Sequence, residues 1–467
     1  MKIEFNSFLT LILVLFWILI NSLNYSDIYF INDKVIILSN LLCLEIFLIL
    51  LIAKKTKNIF LTYLAFFLLI FYVFRIITLL LFDPNPYLNQ YDFNAEDYIK
   101  TLEVILVFLP FIALCTIIGN KLFYKKFIFS KKHNHNKYFN IVMFIAFTSF
   151  LPNILTSLDI GVISYFSSFL RPYYPQGTIV LLTIVYYLTH ISYLNKKQKF
   201  KMYIFFVLVV LISLFSGNKS SVFGLALSFF TVFLVVKRTI FIKIKHVLYS
   251  FFLLIFALYT YFLGNIIRDI VWRGEEGLSS IVTIISSINI DYIFNLSSFF
   301  ASHFFGRIGF LDYSVRIIKN LSTYDSLFTF NQYFQSFIDN LIPGSIFNSA
   351  RISTALTYFD NYSAIPTQTE LSTVGYNSNA ITVFGEFYSL GSGTFFGSIL
   401  LVFYLLIVII VFSIFIKKSK SETQYNILLV LFLGFFNLTL NSFGIDWGLQ
   451  SLVINLTFFM IFKKYYI

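Results

Sequence analysis

Residues 394–420 read TFFGSILLVFYLLIVIIVFSIFIKKSK. From Thr394 to Ile416 the run holds no charge, and it ends on Lys417, Lys418 and Lys420. A helix that crosses a bilayer needs roughly 20 mostly apolar residues, and short lysine-rich connections stay on the cytoplasmic side. The stretch is therefore read as a membrane span leaving on the cytoplasmic face. The rest of the chain repeats the pattern. Its 467 residues are 58% hydrophobic and only 12% charged, with a mean hydropathy of +0.82. Soluble chains carry about twice that charged share, so an ordinary soluble protein is excluded.

Apolar runs predict about twelve spans, at 5–23, 35–53, 59–81, 101–118, 139–158, 178–194, 202–216, 221–236, 247–263, 394–416, 425–440 and 449–462. The seventh and eighth are short and could instead form a re-entrant pair. The first is read as an uncleaved span, because no small-residue cleavage site follows it. Cys43 and Cys115 both lie in apolar runs, so neither a disulfide framework nor a cysteine metal site follows.

The connections alternate in charge. Lys54–Lys57, Lys121–Lys137, Lys196–Lys201, Lys237–Lys245, Lys417–Lys420 and Lys463–Lys464 form one set, with Lys2. The connections 24–34, 82–100, 159–177, 217–220, 264–393 and 441–448 hold nearly all the acids. Both termini are then cytoplasmic, and the long segment 264–393 faces outward between the ninth and tenth spans. The chain divides into 1–263, carrying nine spans, the loop 264–393, and 394–467, carrying three. The net charge of +12 is thereby read as topology and not as affinity for nucleic acid.

Outward cations are candidates for anion binding, because a guanidinium offers phosphate a planar fork of donors and stays charged. They are Arg171, Lys219, Arg268, Arg273, Arg307 and Arg351. The ordinary alternative pairs such cations with Asp269, Glu275, Glu276, Asp312 and Asp360; Arg316, four residues after Asp312, is assigned to that pair. His303 would share a helical face with Arg307 and could take a proton from a hydroxyl, or be a structural histidine. Glu386, in Phe384-Gly385-Glu386-Phe387-Tyr388, opens the tenth span; a carboxylate there is either functional or a helix N-terminal charge. Arg75 is expected to pair with Glu45 or Glu103 inside the bundle. Residues 279–300 read as a surface or re-entrant helix, and 325–341 as an amphipathic one. No Walker-type, zinc-protease or Asp-x-Asp motif occurs, so the reading is a metal-free, cofactor-free protein.

With Ser216-Gly217-Asn218-Lys219-Ser220 at an outward hairpin and the Gly385–Gly391 segment before the tenth span, the chain resembles the Wzy-type O-antigen and oligosaccharide repeat-unit polymerases. The resemblance covers most of the length and implies an all-α polytopic, GT-C-like membrane glycosyltransferase of the bacterial inner membrane. Its site would face the periplasm and serve lipopolysaccharide biosynthesis. Undecaprenyl-diphosphate-linked glycan would be transferred en bloc onto a lipid-linked repeat unit, with a chain-length regulator and a flippase as partners. On that reading Arg268, Arg273, Arg307 and Lys219 hold the diphosphates, and His303 or Glu386 deprotonates the attacking sugar hydroxyl. The alternatives are an O-antigen ligase acting on lipid A core and a non-enzymatic lipid-linked oligosaccharide flippase.

Overall fold

The structure is a computed structural model. It describes residues 2–25, 28, 30–81, 93–125, 135–150, 176–215, 219–238, 240–243, 310–321, 382–441 and 445–466. These are overwhelmingly helical. In chain order they form α1 (Phe5–Ser22), α2 (Asp33–Thr56), α3 (Ile59–Leu81), α4 (Ala95–Phe123), α5 (His135–Thr148), α6 (Gln176–His190), α7 (Lys196–Phe215) and α8 (Lys219–Lys237). They continue with α9 (Phe310–Leu321), α10 (Val383–Leu390), α11 (Thr394–Lys417), α12 (Glu422–Asn441) and α13 (Ile445–Phe462). Among the described residues 6 helices, α1 to α4, α11 and α12, are long and apolar enough to cross a membrane. The protein is thus a helical, membrane-embedded one. The run 247–263 and the helices expected over 279–300 and 325–341 lie outside the described residues. The short seventh and eighth runs belong to separate helices of 20 and 19 residues.

α11 shows why such sequences look apolar on every side. Leu401, Leu405, Val408, Ile409 and Phe412 are buried, while Phe396, Phe403, Ile407, Ile410 and Ile414 are exposed at helical spacing. The first face packs on α4. The second is as apolar as the first, as a lipid-facing stripe has to be.

Polar side chains define the helix ends. Asn32 caps α2 by accepting from Val35 N at 3.0 Å, with Asp33 in its first turn and Lys54 and Lys55 in its last, charges that complement the helix dipole. Asn58 caps α3 by accepting from Phe60 N and also donates to Thr116 O at 3.3 Å. Asn94 and Asp97 form a reciprocal capping box, and α4 begins at Ala95, earlier than the apolar run suggests. The box satisfies donors left open by the helix start.

The two ends of the bundle differ in chemistry. At one end Lys54 donates to Ser7, Lys125 to the carbonyls of Lys417 and Ser419, and Gln424 to Lys463 O. Arg238 lies over the Tyr425 ring at 5.6 Å, and buried His190 meets Thr423 at 2.9 Å. A short antiparallel ladder also joins Lys2–Glu4 (β1) to Phe241–Lys243 (β2), with Ile3 opposite Ile242. The opposite end carries Lys34 with Glu103, Lys319 with Asp97, and Arg75 with Asp312. The expected partners of Arg75 are therefore corrected. Glu103 is taken by Lys34, and Asp312 reaches Arg75 from α9, which leaves Arg75 bonded to neither Glu45 nor Glu103.

Candidate functional site

The acid-bearing end holds a buried polar cluster where α3, α4, α9 and α10 meet. α3 supplies it through an irregularity. Residues Leu69–Val73 form a π-helical turn between two α-helical halves, a distortion that often accompanies functional sites. Tyr72 sits in that turn, and Arg75 follows one turn later. Both side chains are buried.

Arg75 Nε donates to Asp312 Oδ2 at 2.7 Å, and Tyr98 Oη donates to Asp312 Oδ1 at 3.2 Å. Burial pushes the Asp312 carboxyl up from its ordinary value, while Arg75 and Tyr98 draw it back down. Asp312 thus meets a counter-charge and a hydroxyl donor inside the protein, in Arg75 and Tyr98. Arg75 Nη1 reaches Thr78 Oγ1 at 3.3 Å. Its Nη2 and the Tyr72 hydroxyl are buried with no hydrogen-bond partner among the described residues.

Above this pair lies the second half of the cluster. Ser314 and Thr382 share a hydrogen bond at 2.8 Å, close to the Tyr72 hydroxyl. Thr382 caps α10 by accepting from Gly385 N at 3.4 Å. Its backbone stands at φ 60 and ψ 145, rare for a β-branched residue and costing on the order of 1–3 kcal/mol. Strain of that kind persists only where the surroundings over-determine it. Here Thr382 is fully buried and tied at its side chain.

Glu386 lies one turn into α10 and is 1% exposed. It does not open the long span, as the sequence suggested. α10 is a separate helix of 8 residues, ended by Gly391-Ser392-Gly393 before α11 starts at Thr394. Gly393 has φ +145, and a Cβ on Gly391 or Gly397 would collide with backbone of the other arm. Only glycines allow that approach. On its other faces α10 is set by Phe384 against Tyr72 at 5.5 Å, and by Gly385, where a Cβ would come within 2.9 Å of Ile317. Lys100 of α4 lies over the Tyr388 ring at 5.7 Å.

Of the catalytic and anion-binding candidates named from the sequence, Glu386 alone has its side chain described. Lys219 begins α8, with its side chain outside the described part of the structure. Arg171, Arg268, Arg273, His303, Arg307 and Arg351 lie outside the described residues, as does the Arg316 side chain. Sequence reading missed Tyr72, Tyr98, Ser314, Thr382 and Lys100. Arg75, a lone cation near the end of an apolar run, was the available signal for where they gather.

No family model, curated protein or solved structure matches this chain. Its chemistry rests on its own residues. The cluster offers a buried carboxyl on a short helix, two buried donors, Arg75 Nη2 and the Tyr72 hydroxyl, with no partner among the described residues, and the paired hydroxyls of Ser314 and Thr382. Among the described residues no group of three or more His, Cys, Asp or Glu is placed to hold a metal.

Proposed function

We propose that the protein is a membrane glycosyltransferase of the Wzy type. It would join lipid-diphosphate-linked oligosaccharide units at the outer face of a bacterial inner membrane. The observation that carries the reading is Glu386, buried on a glycine-bounded helix beside strained Thr382, under a helix contributed by the 264–393 segment. A buried carboxyl on that helix suits a general base that takes a proton from a sugar hydroxyl. The outward cations named from the sequence would offset charge on a departing diphosphate.

Twelve spans, cytoplasmic termini and an outward 264–393 segment belong to this proposal. The β1–β2 ladder supports it, since it holds the N-terminus beside residues 241–243 after α1 through α8, an even number of crossings. The gathering of lysines at that same end supports it too. Arg171, Lys219, Arg268, Arg273, Arg307 and Arg351 remain the proposed diphosphate contacts, and His303 the second candidate base.

The test is glycan ladder length in cells carrying Glu386→Gln, Glu386→Asp or alanine at each cation. Loss of polymer beyond a single repeat unit in Glu386→Gln, with normal protein level in the membrane, is the expected result. Wild-type ladders from every variant overturn the reading.

A further inference from the structure

At the acid-bearing end, the cations with described side chains are Lys34, Arg75, Lys100 and Lys319. Lys34 meets Glu103 at 3.1 Å, Arg75 meets Asp312 at 2.7 Å, and Lys319 meets Asp97 at 3.0 Å. Lys100 has no ion pair among the described residues. Glu103, three residues after it on α4, is held by Lys34, but Glu96 stands four residues before it on the same helix. Such spacings normally give helix ion pairs. Instead the ammonium turns to the Tyr388 ring at 5.7 Å, bridging α4 to the helix that carries Glu386.

Position adds a second argument. α4 has 29 residues, about 43 Å of helix, against a hydrocarbon core of about 30 Å. Its apolar run begins at Thr101, so Lys100 stands where that core meets the headgroups. Lys100 and Tyr388 are both half-buried, and both border α10 near its glycine turn. An ammonium with no ion pair among the described residues, on an aromatic face at headgroup depth and against the helix that carries Glu386, suits a phosphate on a membrane-anchored chain. An ammonium binds such a phosphate as a point charge, and the ring holds the ammonium in place.

We infer that Lys100, seated on Tyr388, is the contact for the phosphate of a lipid-linked diphosphate, and so sets the reacting end of that lipid beside α10. The inference rests on the proposed function for its saccharide cargo alone. The phosphate chemistry is shared with ordinary anionic lipids, so the experiment separates the two sources. Full-length protein in phosphatidylcholine nanodiscs doped with undecaprenyl diphosphate, or with phosphatidylglycerol instead, is read by native mass spectrometry for bound lipid. The variants are Lys100→Gln, Lys100→Arg, Tyr388→Leu, and Lys34→Gln as an equal change of charge at a paired site.

Lys100→Gln is expected to weaken undecaprenyl diphosphate binding by about tenfold or more, the loss of one charge-assisted contact. Lys100→Arg should retain binding, Tyr388→Leu should fall between, and Lys34→Gln should match wild type. Phosphatidylglycerol should be held weakly and equally by all. Parallel loss of both lipids in Lys100→Gln assigns the site to bulk headgroups and overturns the inference, as does unchanged binding of both. No glycan transfer occurs in this assay. A protein that binds the diphosphate through Lys100 yet builds no polymer sinks the proposed function and leaves this inference standing.

Discussion

Arg75 and Asp312 lie 237 positions apart in the chain and meet at 2.7 Å, both buried. Through them α9, from the long segment 264–393, is fastened to α3. Tyr98 joins from α4, and Ser314 carries the connection onward to Thr382 at the start of α10. The helix bearing Glu386 is thus held by a chain of polar contacts that begins inside the bundle.

Breaking that pair on one side should be costly. Arg75→Met leaves a carboxyl whose burial already pushes it up, with its main counter-charge gone. Loss of one partner of a buried pair costs about 3–5 kcal/mol. Replacing both, as Arg75→Met with Asp312→Leu, should recover most of that loss. Thermal unfolding of purified protein in one detergent checks this; equal melting of the single and double variants would remove the pair from the account.

The glycines make contrasting predictions. Gly397 has backbone of α10 where a side chain would go, whereas Gly434 in α12 has nothing within 4 Å of its added Cβ. Gly397→Val should destabilise by at least about 1–3 kcal/mol through overpacking and detach α10. Gly434→Ala should stabilise its helix by roughly 0.5–1 kcal/mol. If Gly397→Val melts like wild type, the close crossing of the two helices does not exist.

The membrane character was legible because lipid imposes one rule on every span. α1 to α4 and α11 fall almost where their apolar runs lie, and the capping asparagines Asn32, Asn58 and Asn94 extend or start them on local chemistry. What was not legible came from contacts distant in sequence. Asp312 has Arg316 one turn away on its own helix, and Arg75 has glutamates in neighbouring spans, so spacing gave no hint that Arg75 and Asp312 meet each other. The choice is made by where α9 docks, which no periodicity encodes. Similarly, Gly391-Ser392-Gly393 is visible as a break, but that it separates α10 from α11 depends on how closely the two arms pack.

Asn58 serves two helices, accepting from Phe60 N in α3 while donating to Thr116 O in α4. It is 1% exposed, so water cannot replace it. Asn58→Ala should cost about 1–2 kcal/mol from the cap and more from the Thr116 carbonyl left open. Asn58→Asp keeps the acceptor and loses the donor, and should fall between the two. A melting temperature that ranks Asp below Ala would mean that charge, not capping, governs the position.

Topology gives the last expectation. Lys55, Lys121 and Lys418 sit at the lysine-rich end, and Asp33 and Glu96 at the other. On a background with Cys43 and Cys115 replaced by alanine, single cysteines at the first three should react with a membrane-impermeant maleimide only after the membrane is opened. Cysteines at Asp33 and Glu96 should react in intact cells. The physical reason is the cost of moving basic connections outward, which falls on the connections and not on the helices. The β1–β2 ladder makes the pattern stricter, because Lys2 is paired opposite Lys243 and both must report the same side. Cysteines at those two positions that label from opposite faces would break the proposed even count of crossings, and with it the proposed outward placement of Glu386.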